Sequence, residues 1–252
     1  MGTFSSPLIP EGRLHARVTA QLAYRVMESD RSGRILAFPK ESELCEQLGV
    51  SRSILRESMK VLADKGMVEM KPRAGTRSRP REAWRRLDSD ILTWQAALGP
   101  DPQFVRELCE VRLAIEPTAA GFAAVRATNR ELRQIESCLE QRREAAGLAD
   151  VSRLIDLDMA FNAAVVDASH NGLLVHLCSS IRGPFRVALS LAASYPASVR
   201  LGLDAHEVLL ESLRRHDPLS ARRAAEEVVG LAMLAAEKGL RRVPRAEKRN
   251  MR

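Results

Sequence analysis

ESELCEQLGVSRSILRESMKVLADKGMVEMKPRAG, residues Glu41 to Gly75, decides the fold of the N-terminal part of the chain. Pro39 opens a first helix where its missing N–H costs nothing, and Glu41 and Glu43 complement the positive end of the helix dipole. Gly49 ends that helix after Leu44 and Leu48. Ser51 is a suitable N-cap for a second helix running to Gly66, a residue suited to the C′ position. Val68 and Met70 then alternate with Glu69 and Lys71 as a strand, Pro72 to Gly75 form a turn, and Thr76–Ser78 return as the partner strand.

On the second helix, at 100° per residue and with Arg52 at zero, Arg56 and Lys60 fall at about 40° and 80°. Ile54, Leu55, Ser58, Met59, Val61 and Leu62 occupy roughly 180° to 340°. One side is core and the other a basic stripe. Such a stripe usually means only a solvated face. The ordered context, helix, short turn, helix and hairpin, points instead to a winged helix-turn-helix, whose second helix reads the major groove with its N-terminal residues. Ser51, Arg52, Ser53 and Arg56 stand at those positions. Arginine suits bidentate contact with guanine or phosphate. In the wing, Lys71, Arg73, Gly75 and Arg77 suit phosphate or minor-groove contact, which adds affinity more than sequence reading.

These residues resemble the GntR-type winged helix, whose approximate pattern "LPSE-x-x-LA-x-x-x-GVSR-x-x-VREAL-x-x-L-x-x-x-GLV…G-x-G" stands here as FPKESELCEQLGVSRSILRESMKVLADKGMV…RAG. The approach GRILAFP is shorter than the usual one, and Ser42 stands where many members carry arginine. Against that pattern, one common DNA contact is missing.

The composition agrees with a polyanionic partner. The chain has 252 residues, 45% hydrophobic but only 4% aromatic, and a formal charge of +7. That suits an α-rich protein packed with Leu, Ala and Val. Cys45, Cys109, Cys138 and Cys178 are scattered without a C-x-x-C pair, as expected of reduced thiols. No apolar run reaches the length of a membrane span, and MGTFSSPLIPEGR lacks a signal-peptide core. A soluble, cytoplasmic protein is expected.

The expected domains are a winged helix-turn-helix over 1–79, including a flexible arm over 1–12, a linker over 80–100, a helical domain over 101–240 and a basic tail over 241–252. Leu14, Val18, Leu22 and Val26 recur every four residues, predicting a helix that packs on the DNA-reading pair. In the linker, Trp84, Leu87, Ile91, Leu92 and Trp94 recur at helical spacing. The two tryptophans are expected to anchor the linker on the second domain rather than to stack on nucleic acid. From Asp101 onward the pattern is helical, with breaks predicted at Glu116-Pro117, Thr128, Gly147–Asp150, Asn171-Gly172, Gly183-Pro184, Tyr195-Pro196 and Asp217-Pro218. Thr128 and Glu131 make a capping box. Six or seven antiparallel helices in a bundle follow. The fold class is mainly α, a winged helix-turn-helix followed by an all-α bundle.

Polar residues interrupt the apolar stripes of three of these helices. With Leu154 at zero, Phe161, Val165 and Ala168 lie at about 340°, 20° and 320°, Asp158 at about 40° inside the stripe and Asn162 at its edge near 80°. His206 sits among Leu203, Leu209, Leu210 and Leu213, and Arg112 shares a face with Val105, Leu108 and Ile115. A buried charge needs a partner. Arg112 pairing with Asp158, and His206 bonded to a backbone carbonyl, would make a purely structural network. A carboxylate, an imidazole and a guanidinium converging from three helices would equally make a ligand pocket.

EVRLAIEPTAAGFAAVRAT, DLDMAFNAAVVDASHN and AHEVLLESLRRHD are similar to the all-helical effector domain of the FadR subfamily of GntR regulators, the FCD type. The resemblance implies a ligand-responsive transcriptional regulator. It also implies, for many members, a divalent metal held by an Asp, a His four residues later and two further His. Asp158 and His206 match the first and third positions, Asn162 replaces the second, and Val228 aligns with the fourth. Asn162 is a poor transition-metal ligand and Val228 cannot coordinate, so the expected metal set, Asp158 and His206, is incomplete and suits a weakly bound ion or none.

WRRLDSDILTW and EVR-x-x-x-EP look most like regulators of sugar-acid catabolism. The expected effector is therefore a small carboxylate such as galactonate or gluconate. Arg112 would clamp its carboxylate bidentately, Asp158, Asn162 and His206 would bond hydroxyls, and Arg182 and Arg186 would lie at the margin. The function so implied is a homodimeric repressor that binds a palindromic double-stranded operator and is released by its effector. Two other classes stay open. An enzyme would use Asp158 and His206 in acid–base or metal chemistry, although no nucleophile elbow or phosphate loop is present. A non-specific DNA-binding protein would need no pocket.

Overall fold

Helix α1 (Leu14–Arg31) packs across α3 (Arg52–Asp64), with α2 (Glu41–Leu48) beside α3. Val18, Leu22 and Val26 are buried with Leu44, Leu55 and Leu62, whereas Leu14 is half exposed. Gly49 takes the left-handed conformation at φ 64° that turns the chain from α2 into α3. The Ile54 N–H then donates to Ser51 Oγ, capping α3. Strands β1 (Val68–Lys71) and β2 (Gly75–Ser78) form the antiparallel wing in the register Val68 to Ser78. The shortened approach runs along β2, with Phe38 N–H donating to Thr76 O and Ser78 N–H to Leu36 O. The computed structural model describes residues 14–71, 75–148, 150–193 and 196–242. The expected arm, the wing-turn residue Arg73 and nearly all of the basic tail lie outside these.

Residues 80–99 correct an expectation. They belong to the first of two compact units, which ends at Gly99. Trp84, Ile91 and Trp94 share one apolar core with Leu22, Met27 and Leu62. Helix α4 (Ser89–Ala97) is capped by Asp88, whose carboxylate also takes Lys65 Nζ at 2.7 Å. The Trp84 indole N–H donates to Arg79 O. The helical spacing reported the burial of Trp84, Ile91, Leu92 and Trp94, but not the exposure of Leu87 or the core that the two tryptophans join.

The second unit is an all-α bundle. Its described helices are α5 (Pro102–Arg126), α6 (Asn129–Gly147), α7 (Val151–Asp167), α8 (Gly172–Ala193), α9 (Pro196–Arg214) and α10 (Pro218–Arg242). Helix α10 lies against α5, α8 and α9, α7 against α6 and α8, and α6 against α9. The Thr128–Glu131 capping box starts α6 as predicted. Two predicted breaks are absent: α5 runs through Pro117 and α8 through Pro184. A proline inside a helix costs about 3 kcal/mol. In α5, Ala119, Ala120, Ala123 and Ala124 beyond it are fully buried, which favours continuing the helix. Among the described residues no helix is long and apolar enough to cross a membrane.

Candidate functional site

The N-terminal face of α3 carries the residues expected to read DNA. Ser51, Arg52 and Ser53 are exposed, and Arg52 makes only a loose approach to Glu41 at 4.0 Å. Arg56 is held more firmly, its Nε donating to both Glu41 oxygens at 3.1 and 3.0 Å. In the wing, Lys71 pairs with Glu69 at 3.0 Å, and Gly75 is exposed at φ 83°. This basic face is solvent-accessible and its ion pairs are easily exchanged for another anionic partner, because surface pairs are worth about 1 kcal/mol or less.

The second unit holds a pocket lined by Arg112, Arg142, Asp158, His206, Val228 and apolar neighbours including Leu154, Ile155 and Leu189. Its free space of about 50 Å³ exceeds the roughly 10–15 Å³ that one water requires. Three expected site residues therefore meet here from α5, α7 and α9. Arg112 is 1% exposed, His206 2% and Asp158 5%.

The pairing differs from the expected one. Arg112 does not bind Asp158. Its Nε and Nη2 donate to Glu116 Oε1 and Oε2 at 2.6 and 2.8 Å, one helical turn on, and its guanidinium carbon lies 3.4 Å from the centre of the Phe185 ring. The bidentate edge expected to clamp a carboxylate is thus occupied, leaving buried Nη1 without a partner. Asp158 is met instead by Arg142, whose Nη2 stands 2.7 Å from Asp158 Oδ1. Asn162, half-buried, donates through Nδ2 to Asp158 Oδ2 at 3.1 Å and to Asp158 O at 2.9 Å.

Arg142 was not among the expected site residues. The signal was present, because Leu132, Ile135, Leu139 and Arg142 all fall on the buried stripe of α6. Arg142 Nη1 stands 2.9 Å from His206 Nδ1, which also approaches Gly202 O. A neutral imidazole has one proton, so Nδ1 satisfies one of these neighbours and Nε2 takes the complementary role. Burial, then the adjacent Arg142, pushes the His206 pKa down to about 4, so the ring is neutral at physiological pH. Phe161 meets it edge-on at 4.5 Å.

The marginal arginines lie elsewhere. Arg182 is exposed and lines a second, smaller pocket with Arg112, Glu116, Asn162 and Cys178. Arg186 is exposed, pairs with Asp156, and lines neither pocket.

A divalent metal does not fit the residues present. Among the described residues no group of three or more His, Cys, Asp or Glu side chains is placed to hold one. Val228 lines the pocket but has no donor atom.

Comparison with known proteins agrees with both units. The model of the bacterial regulatory proteins of the gntR family matches residues 16–77, and that of the FCD domain matches residues 107–230. The galactonate operon transcriptional repressor of Escherichia coli (strain K12) is 34% identical over 188 residues, 74% of this chain and 81% of that protein. The HTH-type transcriptional regulator YieP of the same organism is 29% identical over 210 residues, 83% of this chain and 89% of its own length. Among solved structures, Lar, which controls expression of the Listeria monocytogenes agr system, aligns with a TM-score of 0.55 at 16% identity, over 87% of this chain and 96% of that one. That last likeness concerns the fold alone.

Proposed function

We propose, from the premise that the chain belongs to the GntR family of bacterial regulatory proteins and is a DNA-binding transcriptional regulator of the FadR type, that it is a homodimeric repressor released from its operator by a small sugar acid. In this reading Ser51, Arg52, Ser53 and Arg56 meet the major groove, and Lys71, Arg73 and Gly75 the flanking backbone.

One observation carries the effector assignment. The polar residues lining the pocket leave three buried nitrogens without partners: Arg112 Nη1, Arg142 Nε and His206 Nε2. Guanidinium nitrogens only donate, so two of the three call for acceptor oxygens. Unpartnered buried donors cost about 1–3 kcal/mol each, and a ligand rich in acceptor oxygens relieves that cost. A carboxylate flanked by hydroxyls has this chemistry, and the similarity to a galactonate operon repressor favours a sugar acid. The two pocket cations each already face a carboxylate, so recognition rests on directed hydrogen bonds more than on net charge.

A gel shift on the operator tests this reading. Galactonate, gluconate and related acids are expected to release the wild-type protein. Arg112→Lys, which keeps the charge beside Glu116 but loses the spare guanidinium donor, is expected to bind the operator and resist release. Normal release of that variant removes Arg112 from the effector site. Indifference of the wild type to every sugar acid removes the substrate class.

A further inference from the structure

The pocket contains the positions at which related domains hold a metal, yet its cation is a side chain. We propose that the Arg142 guanidinium occupies the cation position of this site, tying Asp158 and His206 together where a divalent ion would stand, so that the pocket works without metal. Like an ion, Arg142 joins separate helices: it comes from α6, Asp158 from α7 and His206 from α9. It reaches the two residues that would remain as ligands, at 2.7 Å to Asp158 Oδ1 and, in the tautomer whose Nδ1 accepts, 2.9 Å to His206 Nδ1. Asn162 Nδ2 holds Asp158 Oδ2, so both carboxylate oxygens are engaged by N–H donors.

The backbone is fitted to the arginine as well. A Cβ at Gly202, one turn before His206, would come within 3.3 Å of Arg142 Nη2. Glycine there leaves room for the guanidinium. A dication arriving beside Arg142 would meet like charge in a poorly screened interior and would have to displace the Asp158 pairing. A guanidinium is also insensitive to chelators and to metal supply. Together with Asp158 it sums to zero, whereas a divalent ion with one carboxylate leaves a net positive charge. On the effector reading above, on which this step rests, the ligand is therefore chosen by hydrogen-bond geometry rather than by chelation.

Metal analysis and zinc titration of the full-length chain test the proposal. The wild type, purified without chelator, is expected to carry far less than one equivalent of metal, with a Tm indifferent to zinc and to EDTA. Asn162→His with Val228→His, Arg142 retained, is expected to gain little zinc affinity, because the cation position is filled. Adding Arg142→Ala is expected to create a zinc site, with one equivalent bound and a Tm raised by the ion. A full equivalent of metal in the wild type, lowering Tm when EDTA strips it, overturns the proposal. So does zinc binding that is equal with and without Arg142, or a folded triple variant that ignores zinc. Because the triple variant can fail to fold, the wild-type measurements stand independently. Failure of every sugar acid to act, with the metal results as expected, sinks the effector reading and leaves the role of Arg142 intact.

Discussion

At the residue scale His206 links the stability of the second unit to pH. Its folded pKa, about 4, lies below the ordinary histidine value of 6.5. Above pH 6.5 the ring is neutral in both folded and unfolded chains, and its contribution is fully present. As the pH falls from 6.5 to 4, the unfolded chain takes up a proton that the folded one refuses, so stability drops. The shift corresponds to about 3 kcal/mol. His206→Gln, which has nothing to titrate there, is expected to lose stability less steeply than the wild type across that window in urea unfolding at stepped pH. Parallel curves would mean that the imidazole is not held neutral by the fold. The inward position of His206, Arg112 and Asp158 was legible from helical arithmetic, because a polar residue inside an apolar stripe announces its own burial. Their partners were not. Glu116, one turn beyond Arg112, was an available local partner, and Arg142 on the stripe of α6 was a second inward cation. Which cation meets which carboxylate depends on how helices distant in sequence are brought together, and periodicity carries no such information.

At the element scale the same division holds. The winged helix was legible because its determinants are local: the left-handed Gly49 and the Ser51 cap lie within a few residues of the structure they cause, and β1 forms where expected although only Val68 of its apolar pair is buried, Met70 being exposed. Where tertiary packing competes with local preference, local reading fails, as at Pro117, where buried alanines outweigh the proline, and at Trp84 and Trp94, which close the first unit's core. Gly66 stands on the border between the two. It follows α3 at φ 76°, as a local reading expects, but a Cβ there would also lie 2.2 Å from the carbonyl oxygen of Ala83. The segment after the wing is docked at this point, with Arg85 N–H donating to Lys65 O and Arg79 N–H to Met67 O. Gly66→Ala is therefore expected to cost more than the roughly 1–2 kcal/mol of left-handed strain alone, because the backbone near Ala83 must also move. Chemical denaturation of the first unit measures this, and a loss below about 1 kcal/mol would mean that the segment yields freely.

At the scale of the whole molecule, the two units have separate cores. The residues packed in the first lie between Val18 and Leu98, and those in the second between Val105 and Leu240. Independent cores are expected to unfold as independent cooperative steps, so one Tm does not describe the chain. A fragment of residues 1–99 is expected to fold alone, since its core is complete without the second unit. The proposed effector, binding only the second unit, can stabilise only that unit's transition directly. At about a hundredfold over its Kd it adds about 2.7 kcal/mol, and with about 2–4 °C per kcal/mol for a unit of this size the second transition should rise by roughly 5–10 °C. The first transition, and the 1–99 fragment, should not move. Calorimetry of the full chain and of the fragment, with and without the sugar acid, checks both points. Release from DNA then depends on the effector binding more tightly to the free than to the operator-bound arrangement, since equal affinity for both shifts nothing. DNA binding by the fragment should accordingly be indifferent to the acid that releases the full chain. A single transition moving as one would mean that the two units unfold together, whereas a fragment that responds to the acid would place the effector's action in the DNA-binding unit itself.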